Sequence, residues 1–218
     1  MSGCYVTKEM SRNAILEMKS FYSGLVELYG RFDINVESDI GRRNMLMSSL
    51  QEKTFAKQIK AVYPSALSDG KTGEPDIIIP EIERELECKL TSRNKSGSWS
   101  LQTDYNTLQN KGKLDYLYVL ASREFDSFAV LFFHDLTTDD FFPPSPGSKG
   151  KSRMKVAKAM EKCTIVYGDV VDNAKVYLKN AQITLLNKDI TPAMRKKLKK
   201  TVTHWQNTSN ISFVLEAA

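Results

Sequence analysis

Two nearly unbroken apolar runs, Tyr116–Ala121 and Phe128–Phe133, constrain the fold of this chain more than any other feature. Each has the length of a strand, and a strand that is apolar on both sides must be covered on both faces. Such strands belong in the middle of a sheet with helices packed over it. Candidate helices precede them. From Thr7 to about Arg31, the residues Ile15, Met18, Tyr22, Leu25, Val26 and Tyr29 recur at three- and four-residue steps, with Thr7 as N-cap. A second helix is predicted from about Gly41 to Val62, with Met45, Phe55, Ala56 and Ile59 on its buried stripe and Leu46 and Leu50 beside it. The class expected is α/β: a central mixed β-sheet flanked by helices, with additional helices at the N- and C-termini.

The rest of the chain supplies turns and shorter elements. Pro64 ends the second helix, and Asp69-Gly70-Lys71-Thr72-Gly73 is a strong turn signal. Strands are predicted at Asp76–Pro80 and Ile82–Leu90, and Thr91–Ser100 reads as a polar, basic loop. Leu101, Tyr105 and Leu108 give helical spacing over Leu101–Lys111. Phe142–Gly150, rich in Pro, Gly and Ser, looks like a linker; a basic helix at about Ser152–Lys162 and a strand at Thr164–Tyr167 are expected after it. Thr191-Pro192 is a helix start, with Met194, Leu198 and Val202 as the apolar stripe of the helix that follows. The reading is of one catalytic domain over 1–218: N-terminal helices at 1–62, a core at about 41–135, and a basic extension from about 149 to 218.

Charge is distributed unevenly. Between Glu74 and Glu87 there are six acids and one base, whereas Lys149–Lys200 holds fourteen bases and four acids. An acidic site in a chain of net charge +5 suits a protein that binds a polyanion and holds a metal against it. The competing reading is charge for solubility alone. An apolar fraction of 41% is enough for a sizeable core, and no run approaches the roughly 18–20 apolar residues that span a bilayer. The first residues lack the basic and apolar regions of a secretory signal, and the three cysteines (Cys4, Cys88, Cys163) form no CxxC pair. A cytoplasmic protein with no membrane partner is expected.

Within the acidic run, Glu87 and Lys89 are two apart on one strand, so they share a face about 6.5 Å from each other. Asp76 opens the preceding strand and comes beside Glu87 if the two strands pair. Carboxylates so placed repel unless a divalent cation lies between them, and magnesium favours one or two carboxylates, waters and a phosphate oxygen. Lys89 is then placed to hold the attacking water and offset charge in the transition state. Glu52 lies seven residues after Met45 and three, four and seven before Phe55, Ala56 and Ile59, so it points with the apolar stripe and needs a cation there. The bland alternative is an acidic edge strand, since Glu81, Glu83, Glu85 and Glu87 alternate with other residues. Two isolated histidines, His134 and His204, argue against a histidine-metal or zinc site. No phosphate-binding glycine loop is present, so no nucleotide cofactor is expected.

The segment Glu74-Pro75-Asp76 … Glu87-Cys88-Lys89 resembles the PD-(D/E)xK nuclease superfamily, most closely its type II restriction endonucleases, over about Gly41–Phe133. That resemblance implies a restriction-endonuclease-like core and a magnesium-dependent endodeoxyribonuclease (manganese able to substitute) acting on double-stranded DNA as a homodimer. It implies Asp76, Glu87 and the Cys88 backbone carbonyl as metal ligands and Lys89 as the catalytic lysine. Glu52 matches an auxiliary glutamate on the preceding helix, acting directly or through water. Glu85 is the competitor for the place of Glu87, but two residues after it stands a glutamate rather than a lysine. Arg93, Asn94, Lys95 and Ser98, and the patch Lys149, Lys151 and Arg153, are candidate DNA contacts by residue type and position. Phe21, Tyr22 and Tyr29 are a candidate dimer interface, with packing in the core as the favoured competing reading. A branched-DNA resolvase, repair or homing nuclease is the alternative within the superfamily, and a non-catalytic DNA-binding protein the alternative outside it.

Overall fold

The computed structural model describes residues 3–68, 70–71, 73–93, 99–168 and 190–209. The chain divides into two units, one formed by Met1–Asn94 and Trp99–Gly168, the other by Lys95–Ser98 and Asp169–Ala218. In chain order the first contains helices α1 (Lys8–Gly30) and α2 (Ile40–Lys60), then strands β1 (Ile77–Ile79), β2 (Arg84–Ser92) and β3 (Gln102–Asp104). Helix α3 (Tyr105–Lys111), β4 (Leu114–Ala121), β5 (Phe128–Leu136), β6 (Lys151–Arg153), the short α4 (Val156–Ala159) and β7 (Cys163–Gly168) follow. Within the second unit the described element is helix α5 (Pro192–Ser209), whose first turn is capped by Thr191 Oγ1 accepting from Met194 N at 3.2 Å.

The fold class is α/β, with a mixed five-stranded sheet in the order β1-β2-β4-β5-β7 flanked by helices. β2 and β4 pair in parallel, and the other neighbours are antiparallel. Every residue of β4 is buried, as its unbroken apolar run requires. One face carries Leu86, Cys88, Leu117, Val119, Val130 and Phe132, which pack in the main core with Ile15, Met18, Met47, Phe55 and Ile59 of α1 and α2. On the other face, β3 and β6 form a two-stranded antiparallel ribbon. β7 ends at Gly168 (φ +91°), where a Cβ would come within 2.0 Å of the Phe128 carbonyl oxygen, so only glycine fits.

Several local expectations change. Met45 is 73% exposed, and the buried stripe of α2 runs through Arg43, Met47, Gln51, Thr54, Phe55 and Ile59. Arg43 is held there by its Nη1 donating to the Arg123 carbonyl (2.8 Å) and its Nη2 to Ser92 Oγ (3.1 Å). The guanidinium lies 4.9 Å from the Phe125 ring centroid. Residues Pro80–Ile82 form a 3-10 turn closed by Glu83 in a left-handed conformation (φ +52°), so β2 begins at Arg84 and the acidic alternation is not one continuous strand. The helix expected over Leu101–Lys111 splits into β3 and α3, because Asp104 ends the strand and caps the helix with its Oδ1 accepting from Thr107 N at 3.0 Å. The basic helix expected at Ser152–Lys162 is replaced by β6, α4 and a 3-10 turn. The basic extension from about 149 is thereby divided, since β6 and β7 pair with β3 and β5 in the first unit. Tyr22 packs in the core, as its place on the apolar stripe of α1 predicts, while Phe21 is exposed.

Candidate active site

Pairing of β1 with β2 places the acidic residues. The register Ile77↔Leu86, Ile78↔Glu85, Ile79↔Arg84 brings Asp76, one residue before β1, beside Glu87. Asp76 Oδ2 accepts the Cys88 N–H at 2.7 Å. A residue's N–H and C=O point to the same side of a strand, so the Cys88 carbonyl is turned to this same edge, beyond Ile77, the first residue of β1. The Cys88 side chain is buried in the core, so alternation sends Glu87 and Lys89 to the opposite face. There the Lys89 ammonium contacts Glu87 Oε1. Parallel pairing sets Tyr116 beside Glu87 and Tyr118 beside Lys89.

Glu52 of α2 joins this group. Burial, then the charges of Asp76 and Glu87, push its carboxyl up to about 7, with Lys89 opposing. Burial likewise raises Asp76, against Lys89 and the Cys88 N–H, and raises Glu87, against Lys89. For Lys89, burial disfavours the charge, but Glu87 and Asp76 outweigh it and raise its pKa. Asp76 and Glu87 thus lie by one ammonium, with Glu52 near enough to feel their charges, and the repulsion among these carboxylates is what a divalent cation with hard oxygen ligands relieves. The donor set fits magnesium: Asp76, Glu87 and the Cys88 carbonyl, with Glu52 beside them.

Glu85 shares the face of Glu87 but is taken up by Lys111 of α3, 3.1 Å away, which also holds Glu74 at 2.6 Å. Among the expected DNA contacts, Arg93 follows β2 directly, its guanidinium 4.3 Å from the Trp99 ring centroid. Asn94, Lys95 and Ser98 lie outside the described residues. Lys149 sits in a tight turn (φ +52°), and Lys151 and Arg153 are exposed on β6. The structure thus gathers Asp76, Glu87 and Lys89 at one edge, with Glu52 of α2 within reach of their charges, and carries Lys151 and Arg153 on the ribbon.

Some contributors were not singled out from the sequence. Gln51 is fully buried, and its Nε2 donates to the carbonyls of Lys89 (3.3 Å) and Leu117 (3.4 Å), locking α2 to the strand that bears the site. Tyr118 Oη donates to the Gln102 carbonyl at 2.8 Å, and Tyr116 Oη lies 2.6 Å from Thr103 Oγ1. Tyrosine rather than leucine at two buried strand positions was the available signal.

A second acidic group, Asp115, His134 and Asp135, has ligand atoms within 4.8 Å of one another. Arg84 already supplies its cation: its Nη1 is 2.9 Å from Asp135 and 3.8 Å from Asp115. The chain matches no protein-family model and no curated protein.

Proposed function

We propose that this chain is a magnesium-dependent endodeoxyribonuclease of restriction-endonuclease-like architecture that hydrolyses double-stranded DNA. The observation that carries the reading is the placing of Asp76 beside Glu87 and Lys89 by the β1–β2 register, with the Cys88 carbonyl turned to the same edge. Glu87 and Asp76 keep the Lys89 ammonium charged despite its burial, which suits a group that must offset charge on phosphoryl oxygens. The Cys88 N–H fixes the Asp76 carboxylate, so its free oxygen is oriented before any ligand arrives. A bound divalent cation supplies Lewis-acid polarisation of the phosphate and a more acidic water. Asp76, Glu87 and the Cys88 carbonyl would hold it, with Glu52 alongside.

Sequence-specific cutting as a homodimer is the finer form of this proposal, since two strands require two sites and a two-fold protein matches a palindrome. Exposed Leu16, Phe21 and Leu28 on α1 support an interface there. The test is incubation of the full chain with a long linear duplex in magnesium or in EDTA. Discrete fragments with magnesium alone are expected. Asp76→Ala and Lys89→Ala should abolish cutting while binding in EDTA survives. A Lys89→Ala protein that cuts like wild type removes the assignment.

A further inference from the structure

The ribbon of β3 and β6 has no part in the chemistry described above, yet it is fixed to the same face of the sheet. Its inner side is polar: Thr103 and Ser152 are buried, and the tyrosines opposite Glu87 and Lys89 reach it through Thr103 Oγ1 and the Gln102 carbonyl. Direct opposition in the register Gln102↔Arg153 and Asp104↔Lys151 puts those four side chains together on the other side. Pairing runs on at both ends, since Met154 N donates to the Leu101 carbonyl at 2.8 Å and Tyr105 N to the Gly150 carbonyl at 2.9 Å. The paired length of five residues is about 16 Å.

That side carries two cations and one carboxylate. Asp104 is engaged at the start of α3, where its carboxylate accepts from Thr107 N. Lys151 and Arg153 are exposed and have no ion pair among the described residues. Beside Arg153, Phe142 donates its N–H to the Arg153 carbonyl (2.9 Å), and its ring is 55% exposed. A cavity of about 370 Å³ at the ribbon is lined by Lys89, Thr91, Tyr118, Gln102 and Lys151 among others. It leads from the ribbon to the ammonium of the candidate active site.

We infer that this ribbon is the element that enters the major groove of duplex DNA, with Arg153 and Gln102 reading base edges and Lys151 holding a phosphate. The inference rests on the nuclease reading and says how its substrate is recognised. The major groove, about 12 Å wide, admits a two-stranded ribbon, and Arg and Gln are the side chains that pair two-pronged with guanine and adenine. Phe142 is placed to meet a thymine methyl. Lys89 lines the same cavity as Gln102 and Lys151, where a backbone phosphate of the bound duplex would enter.

The experiment compares the full-length wild type with Arg153→Ala, Arg153→Lys, Gln102→Ala and Lys151→Ala, each checked for an unchanged melting temperature. Cutting of a long linear duplex with magnesium gives the fragment pattern, and anisotropy with labelled duplexes carrying the cut sequence or a scrambled one gives affinity in EDTA. Arg153→Ala should weaken binding to the cut sequence about tenfold to a hundredfold and spread cutting to further sites. Arg153→Lys keeps the charge but not the two-pronged geometry, so it should retain scrambled-DNA binding and still lose discrimination. Gln102→Ala should relax a different position of the site. Lys151→Ala should weaken both duplexes alike and lower the slope of log affinity against log salt by about 1. Unchanged fragments and affinities in all four variants, or wild-type cutting without sequence preference, would overturn the ribbon's role and leave the nuclease reading standing. A wild type that neither binds nor cuts duplex DNA removes both.

Discussion

Asp140 offers a quantitative check on the packing that carries the ribbon and β7. It is fully buried at the turn after β5, where its Oδ2 accepts from Thr137 N (2.9 Å) and Lys162 Nζ (2.7 Å). Lys158 Nζ is 3.9 Å from the other oxygen. Burial alone would raise its pKa, but Lys162, the Thr137 N–H and Lys158 outweigh it and hold the carboxyl below its usual value. Asp140→Asn keeps the shape and one acceptor for Thr137 N while removing the charge. Two charge-assisted hydrogen bonds at about 1.5 kcal/mol each give about 3 kcal/mol, and the retained Thr137 bond reduces the expected loss to about 2 kcal/mol. For a chain of this size that is a fall in melting temperature of about 4–8 °C at pH 7. A carboxyl whose pKa is lower in the folded state stabilises the fold above its unfolded pKa, near 3.9, and loses that contribution as pH falls through the folded value. The gap between wild type and Asp140→Asn should therefore be full at pH 6–7 and close as pH drops below about 4. Urea unfolding at pH 7 and at about pH 3 measures it. Equal gaps at the two pH values, or no gap at pH 7, would show that the charge contributes nothing and refute the reasoning.

Two further outcomes follow from the carboxylate groups. Magnesium at millimolar concentration should raise the melting temperature of the wild type and leave Asp76→Ala and Glu87→Ala unmoved, since a ligand bound only by the folded state stabilises it; equal shifts in all three proteins would place any metal elsewhere. Arg84→Met should cost about 3 kcal/mol by leaving Asp115, almost fully buried, without the cation 3.8 Å from it, as read by the midpoint of urea unfolding.

The parts legible in the sequence are those whose cause is local. The apolar runs of β4 and β5 could only be central strands, and the Glu-x-Lys spacing put Glu87 and Lys89 on one face whatever the rest of the chain did. Asp76 comes beside Glu87 because only a short 3-10 turn and Glu83 separate β1 from β2. The misread parts are set by partners far away in sequence. On α2, Met45 was assigned to the core and Gln51 was passed over because apolar periodicity treats every polar side chain as surface. Gln51 is buried since carbonyls of β2 and β4 accept its hydrogens, and Arg43 since a carbonyl, a serine hydroxyl and two aromatic rings receive it. Glu52 consequently lies beside that stripe, half-buried rather than on it. β3 and β6 have almost no strand propensity of their own; each is extended because the other is there.

The ribbon also accounts for the composition of the second face of the sheet. A strand apolar on both sides predicts two covering layers, and β4 has both. Its Leu117, Val119 and Ala121 face the core packed by α1 and α2, as leucine and valine do beneath helices. Its alternate residues are Tyr116 and Tyr118, and a buried tyrosine needs a polar partner that a purely apolar layer does not offer. The partner is the ribbon, gripped at Thr103 and Gln102 by residues whose register neighbours on β2 are Glu87 and Lys89. A shift of the ribbon therefore breaks hydrogen bonds to the same two rungs that set the carboxylate and the ammonium. Two tyrosines thus give the ribbon a fixed position over the strand that carries the candidate site, as the proposed coupling of recognition to cutting would require.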